Sequence, residues 1–531
     1  MPELEERLTR SHQIDAGSED LTNSGNMRRV WISIGIILAA LVTRVGLLGA
    51  PAEFDEFYHY IPALGWPETG ELRILDGSYT RASAYTLAVA RFLDVTGQNS
   101  LFAARLVSLL PGLLLPLVLF WWVRAHVGET AAVIATAFAI LWPQGILESQ
   151  LLRFYSLHVL LFFAGAVSVY AAVIEQGPRR WVQAFAAIGF LGAAMALQIT
   201  TFVACGGIVV FLVGHVLLRL HPSRRWVWGI GSLVLIVVAL VTVWPTGALD
   251  QAWALYRFSP DHAIATRDYA AYYHNSLRRA YETFWPLFPV AALFALRLNA
   301  RLTWYCVAIF STVLVVQSFG AMKADRYISG AMPFFFTIWG MAAVQIMRVC
   351  RPYLSSAALL GCTGFLMASN GFVISSAKMA LGGGYDARFR QDFSGVSDLL
   401  ASLDDDIFVA TTHELHMVVE TGGYNIDVRQ QAGWEAEFDP NAIFGLDPRT
   451  GRYAVRGEAG LEMLLGCVQS GVMITVNNVW QGERIGEPFR RAAAVQDVSF
   501  DVIAAGTLVA VHWQAVLPKT LQCEGVPDLY Y

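Results

Sequence analysis

Charge is what this chain has least of. Only 15% of its 531 residues are Asp, Glu, Lys or Arg, against about 25% in soluble domains, while 55% are hydrophobic and mean hydropathy is +0.47. So little charge does not cover a water-facing surface of this size, and a polytopic α-helical membrane protein is expected. The net charge of −5 lacks the basic excess that a phosphate backbone attracts, which argues against nucleic acid as a partner. Cysteine is scarce as well: six residues, with no Cys-x-x-Cys pair and no zinc spacing. No cleavable signal sequence is expected, because residues 1–27 are polar and the first apolar run is long enough to stay as an anchor. The internal repeat that many secondary transporters carry is also missing.

What is present is a series of apolar runs. A membrane-spanning helix needs about 20 mainly apolar residues, and eleven runs approach this: 30–50, 101–123, 129–147, 156–174, 181–198, 201–218, 226–246, 284–298, 302–320, 328–347 and 353–375. The eighth is short and carries Pro286 and Pro289. Arginine orients the set. With the N-terminus inside, Arg28, Arg124, Arg179, Arg219, Arg297 and Arg348 each fall in a different inside segment, as the positive-inside rule requires. The expected architecture is therefore about 11 transmembrane helices in a plasma (inner) membrane. A cytoplasmic tail at 1–29 precedes a membrane domain at 30–380, which holds an extracytoplasmic loop at 51–100. An extracytoplasmic α/β domain at 385–531 follows the Gly382–Gly383–Gly384 linker.

In that last region Ile407–Thr411, Val472–Val476 and Leu508–Trp513 read as buried strands. Val396–Leu403 and Glu458–Gln469 read as helices, the second stopped by Gly471. Cys467 and Cys523 stand where an outside disulfide is allowed, although spacing alone does not bring them together. In the first outside loop, Tyr85, Val89 and Phe92 recur at helical spacing and suit a helix lying in the interface. The mixed loop 247–283 reads equally as a lid, an acceptor-binding element or a plain connector.

The chemistry concentrates at Glu53–Phe54–Asp55–Glu56–Phe57–Tyr58–His59–Tyr60, directly after the first apolar run. Carboxylates at a membrane boundary are costly to desolvate, so a functional role is the first hypothesis for Asp55 and Glu56, with a solvated helix cap as the plain alternative. The outer helix ends gather further charge: Arg44, Arg105, Glu148, Arg153 beside Tyr155, and Lys323, Asp325 and Arg326 beside Tyr327. Singly, each cation reads as a snorkelling side chain. Together they make a cationic outer surface beside a carboxylate pair, suited to an anionic headgroup on a lipid tail. Arginine grips phosphate oxygens bidentately, and a nearby carboxylate is able to take a proton from an attacking hydroxyl. The implied reaction is group transfer from a lipid-phosphate donor.

Asp55–Glu56 followed by Tyr58–His59 resembles the acidic motif in the first outside loop of GT-C glycosyltransferases. The resemblance is nearest to the protein O-mannosyltransferase and aminoarabinose-transferase branch. Arg153-x-Tyr155 is similar to the Arg-x-Tyr of many bacterial members, and Lys323-x-x-Arg326-Tyr327 with Pro333 to their Lys-x-x-Arg-Tyr-x-x-Pro-x-x-Pro signature. Ser329 or Gly330 stands where the first of those prolines is usual. The resemblance implies a GT-C fold and inverting transfer from a polyprenyl-phosphate sugar, the lipid-linked donor. It implies Asp55 as catalytic base with Glu56 as its partner or substitute. Arg153, Lys323 and Arg326 would hold the lipid phosphate, Tyr58, His59, Tyr155 and Tyr327 would line the sugar site, and Arg44 belongs to the same binding surface. No metal ligand is assigned, and a divalent-metal requirement is left open. His413-x-x-His416, with Glu414 and Glu420, has metal-capable spacing but no third ligand. The loop 247–283 is too short for the inserted domain of eukaryotic protein mannosyltransferases, so a lipid or glycan acceptor is as well supported as a protein. The rival readings are a transporter or flippase of a lipid-linked or anionic substrate, and a non-catalytic assembly protein indifferent to Asp55→Asn.

Overall fold

The computed structural model describes residues 27–219, 270–320, 323–383, 391–403, 407–429 and 442–515, together with Cys523, Val526, Pro527 and Leu529. Helix α1 (27–43) leads through a turn to α2 (Phe54–Thr69), the two-residue strands β1 (Arg73–Ile74) and β2 (Gly77–Ser78), and α3 (Ser83–Thr96). Then come α4 (Leu101–His126), α5 (Glu129–Ile140), α6 (Pro143–Gln150), α7 (Tyr155–Ile174), α8 (Arg179–Leu197) and α9 (Thr201–Arg219). The helical part closes with α10 (Tyr272–Ala280), α11 (Phe288–Leu298), α12 (Ala300–Phe319), α13 (Met332–Cys350), α14 (Ser356–Ala368) and α15 (Gly371–Ala380).

Among the described residues, six helices are long and apolar enough to cross a membrane, or eight if each of two bent pairs is one span. Among these residues the expected count of about 11 is not confirmed, and part of the difference is local. The run 129–147 breaks into α5 and α6 with a 58° bend. Pro143 starts α6 at a position where it has no N–H to give to a continuing helix. The run 353–375 breaks likewise into α14 and α15, bent by 68°. Of the run 284–298 only the 11 residues of α11 are helical, and the run 226–246 lies outside the described residues. The loop 247–283 is described only from residue 270. On α8, Trp181, Phe185 and Ile188 form an exposed i, i+4, i+7 stripe, the apolar face a helix presents to lipid. Facing inward, α5, α13 and α15 meet through stacked rings, Phe138 lying 5.8 Å from Phe336 and 5.4 Å from Phe372.

Helix α3 differs from expectation in what it faces. Tyr85 and Val89 are fully buried against protein, and Tyr85 Oη lies 2.5 Å from Ser108 Oγ on α4. The hydrophobic stripe thus packs this helix onto its neighbours.

Beyond the helices the chain builds α16 (Val396–Ala401), β3 (Phe408–Thr411), α17 (Glu414–Thr421), β4 (Ile426–Arg429), β5 (Phe444–Asp447) and β6 (Arg452–Arg456). It ends with α18 (Gly457–Cys467), β7 (Ser470–Val476), α19 (Asn477–Trp480), α20 (Gly486–Val495), β8 (Val498–Ala505) and β9 (Leu508–Ala515). Seven strands form one sheet in the order β5-β6-β4-β3-β7-β9-β8. The inner four, β6, β4, β3 and β7, run parallel, and antiparallel strands flank them. The strands expected at 407–411, 472–476 and 508–513 are present; β4, β5, β6 and β8 went unread because they are short, polar or near the sheet edge. Gly471 does not stop α18. It lies in β7, where a Cβ would come within 2.3 Å of Trp513 Cζ2, so glycine makes room for the indole. Cys467 and Cys523 are disulfide-bonded, with Cα atoms 5.3 Å apart.

Candidate active site

Helix α2 sets the site. Its amino end is closed by Glu56, whose Oε2 accepts the Glu53 amide at 2.7 Å, half of the reciprocal arrangement that fixes a helix start. Carboxylates in the first turn suit the positive end of the helix dipole. Because successive residues on a helix point about 100° apart, Asp55 and Glu56 meet different surroundings.

Glu56 faces inward and is 0% exposed. Its Oε1 accepts from Arg105 Nε at 2.8 Å and the Leu152 amide at 2.6 Å, and its Oε2 from Arg105 Nη2 at 2.6 Å. The same guanidinium donates to the carbonyls of Leu47, Leu48, Ala50 and Pro51. Every lone pair is engaged. Glu56 is thus a clamp that ties α2 to α4 and to the turn after α1. Arg44 is also engaged inside the protein. It is buried, and donates to the carbonyls of Ala40, Ala139 and Ile140 and to Thr43 Oγ1. It thereby closes the carboxyl ends of α1 and α5 and does not face the carboxylates of α2.

Asp55 faces out of the helix packing, with 38% of its side chain exposed. Its Oδ2 lies 2.7 Å from Arg153 Nη2, and Glu53 Oε2 lies 3.5 Å from Arg153 Nη1. Arg153 in turn sits 5.1 Å from the ring centre of Tyr155. Arg326 sits 5.6 Å from that ring and 5.5 Å from the Tyr327 ring. Arg81 donates to Gln198 Oε1 at 3.0 Å and reaches Tyr155 Oη at 3.5 Å. Three guanidiniums thus ring one buried tyrosine beside an open carboxylate, an arrangement of cations on aromatic faces. Burial pushes the Asp55 carboxyl up, but Arg153, Arg326 and Arg81 outweigh it and hold the group below its ordinary 3.8.

The remaining expected residues divide. Tyr155, Tyr327, Arg153 and Arg326 come together around Asp55. Lys323 is buried just ahead of the short turn Asp325–Tyr327. Tyr58 is buried, stacks on Tyr79 at 4.5 Å, and takes a hydrogen bond from Arg449. His59 is a packing residue: its Nδ1 pairs with Thr86 Oγ1 at 2.8 Å, and it lies edge-on to Tyr79, Tyr85 and Phe154. Burial first, then Arg153 and Arg81, pushes it down to about 3, so it is neutral near pH 7. Sequence reasoning missed Arg81, Glu53 and Tyr79 as site residues. The spacing in Tyr79-x-Arg81, the mirror of Arg153-x-Tyr155, was the available signal.

The histidine pair packs among aromatic rings. His413 and His416 rings lie 5.8 Å apart, packed on Phe393 and, for His416, on Phe54 and Phe57. Among the described residues no group of three or more His, Cys, Asp or Glu is placed to hold a metal.

No family model and no curated protein matches the chain. Solved structures do. ArnT from Cupriavidus metallidurans bound to undecaprenyl phosphate superposes with a TM-score of 0.58 at 13% identity, covering 92% of this chain and 98% of that one. The archaeal oligosaccharyltransferase AglB from Archaeoglobus fulgidus, in complex with an inhibitory peptide and a dolichol-phosphate, superposes at 0.61 with 9% identity, covering 91% and 74%. The chain has the GT-C fold. Identities this low speak for the shared architecture alone. Within that GT-C fold, the Asp55–Arg153 pair and the arginines around Tyr155 form the candidate site.

Proposed function

We propose that the protein is an inverting glycosyltransferase of the extracytoplasmic membrane face, moving a sugar from a polyprenyl-phosphate donor to a hydroxyl of a lipid, glycan or protein acceptor. The observation that carries this reading is the open Asp55 carboxylate 2.7 Å from Arg153, beside Arg81 and Arg326. The fold supports it, since both solved relatives hold a polyprenyl-type lipid phosphate. In the proposed step Asp55 takes the proton of the acceptor hydroxyl. The acceptor oxygen bonds to the anomeric carbon from the face opposite the phosphate, the carbon–phosphate-oxygen bond breaks, and the polyprenyl phosphate leaves with its charge spread over the guanidiniums. Arg153 is shared. As the lipid phosphate takes up its N–H groups, Asp55 loses its main counter-charge and becomes a better base.

The domain division and sidedness belong to the same reading: the cytoplasmic tail at 1–29, the catalytic membrane domain at 30–380, and the outer domain at 385–531. The arginines of the inside loops support it, as does the Cys467–Cys523 disulfide, since such bonds persist in oxidising compartments. The test is transfer by purified protein from a panel of radiolabelled polyprenyl-phosphate sugars, wild type beside Asp55→Asn. Turnover abolished in the variant, with lipid binding kept, assigns Asp55 as base and names the sugar. Equal turnover would move the base elsewhere. Failure to bind any lipid-phosphate sugar would sink the reading in favour of a transporter or flippase.

A further inference from the structure

The outer domain meets α2 at two places: His416 of α17 packs on Phe54 and Phe57, and the turn of residues 448–451 between β5 and β6 reaches Tyr58. Arg449 in this turn donates through Nη1 to Tyr58 Oη, 391 residues away in sequence, and its guanidinium lies 5.1 Å from the Tyr58 ring centre. That arginine is aimed by a buried rack. Asp447 Oδ1 accepts the Arg449 amide at 2.9 Å and Nε at 3.0 Å, while Oδ2 accepts Nη2 at 2.8 Å. Asp447 Oδ2 also accepts Arg429 Nη2 at 2.6 Å, and Arg429 pairs in turn with Asp427 and lies 3.7 Å from Glu414.

The same turn is bonded to the β1–β2 hairpin through the backbone. The Asp76 amide donates to the Thr450 carbonyl at 3.2 Å, and the Ser78 amide to the Pro448 carbonyl at 3.1 Å. Two glycines allow this approach. A Cβ on Gly77 would lie 2.4 Å from Arg449 C, and one on Gly451, where φ is +70°, would lie 2.7 Å from Asp76 C. The residues directly after the hairpin are Tyr79, stacked on Tyr58, and Arg81, which bonds Tyr155 and Gln198. The turn therefore grips both ends of one wall, Tyr58 on α2 and the segment leading to Arg81.

We propose that Arg449 and its turn are positioning elements: the outer domain holds Tyr58 and the Tyr79–Arg81 wall in place, and thereby sets how the donor's phosphate and sugar are received. The inference rests on reading the Asp55 cluster as the transfer site, but it has a readout of its own. Arg449 touches no reacting atom; it acts through Tyr58 and the hairpin.

The experiment uses the purified full-length chain, with Arg449→Ala loosening the wall from the outer domain, Gly77→Ala prying the same seam from the hairpin side, and Arg449→Lys as the conservative variant. Hydrogen exchange at residues 73–81 and the kinetics of transfer from a polyprenyl-phosphate sugar are measured for each. Expected is a loss of protection at the Asp76 and Ser78 amides in Arg449→Ala and Gly77→Ala, with protection across β3, β7 and β9 unchanged. The KM for the donor rises about tenfold, the scale of one lost charged hydrogen bond. Arg449→Lys, which keeps a donor for Tyr58, regains part of the loss.

A fall in kcat with donor KM unchanged would mean fewer folded molecules and no positioning role, and would overturn the inference. So would wild-type protection at 76 and 78 in both variants, or lost protection with wild-type kinetics. If the wild type transfers no sugar at all, the functional reading fails instead, and the exchange of the Asp76 and Ser78 amides alone decides whether the turn holds the wall.

Discussion

Two clusters of arginines and carboxylates face each other across α2, and they differ in closure. In the rack of the C-terminal domain, Arg429 and Arg449 stand among three carboxylates, Asp427, Asp447 and Glu414, which lie out of solvent. At the start of α2 the arrangement is divided between two neighbouring residues. Glu56 shares its closed surroundings with Arg105, whereas Asp55 keeps more than a third of its side chain open beside Arg153. The pairings are chemically alike. What separates scaffold from candidate chemistry is whether every lone pair is already spoken for. A closed pair resists change because either partner, left alone, is a buried charge; an open one keeps capacity for a ligand.

That contrast is broken most severely at the closed pair. Glu56→Gln leaves the Arg105 charge buried and unbalanced, and should cost about 3–5 kcal/mol of stability. Thermal unfolding and the yield of folded protein in detergent would show it, and a near-neutral result would mean that the pair is not closed. Asp55→Asn should do the converse. Stability stays close to wild type, while transfer falls by roughly 10²–10⁴-fold, the range for a lost general base.

The pH dependence sharpens the same point. Asp55 is held below its ordinary 3.8, so its carboxylate form and the stability of its pairing are present above that value. They are lost only as pH falls through the lowered one. The acid limb of the transfer rate should therefore lie below pH 3.8 in the free enzyme and shift upward in Arg153→Ala. His59, pushed down to about 3 by burial first and then by Arg153 and Arg81, adds no limb near 6.5.

Smaller effects belong to the rim. Arg81→Ala should raise the donor KM by about tenfold with little change in unfolding temperature. Smallest of all, Asp76→Ala removes a salt bridge to Arg452 whose acidic partner is 66% exposed. It should cost under about 1 kcal/mol, because the Asp76 amide keeps its bond across the seam. A large effect there would show that the seam depends on side-chain charge more than on backbone contact.

Much of this was legible before any coordinates. Hydrophobic runs marked most of the helices because lipid permits little else, and the β3, β7 and β9 strands stood out as short apolar stretches. Asp55, Arg153, Tyr155, Arg326 and Tyr327 were recognisable by their clustering at helix ends. The bends at Pro143 and after Ala368 were not legible as broken spans, since a hydropathy run does not report direction. Nor were the polar strands β4 and β6, whose pairing rather than composition makes them strands.

The sequence by itself determined the membrane class, the position of the charged helix ends and the residue types that meet there. Those follow from local composition and from periodicity along one stretch of chain. Only the tertiary structure decided that Glu56 and Arg44 are clamps, that Asp55 is the open carboxylate, and that Arg449 reaches Tyr58. A one-residue step turns a side chain about 100° around a helix, and which side is closed depends on helices and turns brought from far along the chain.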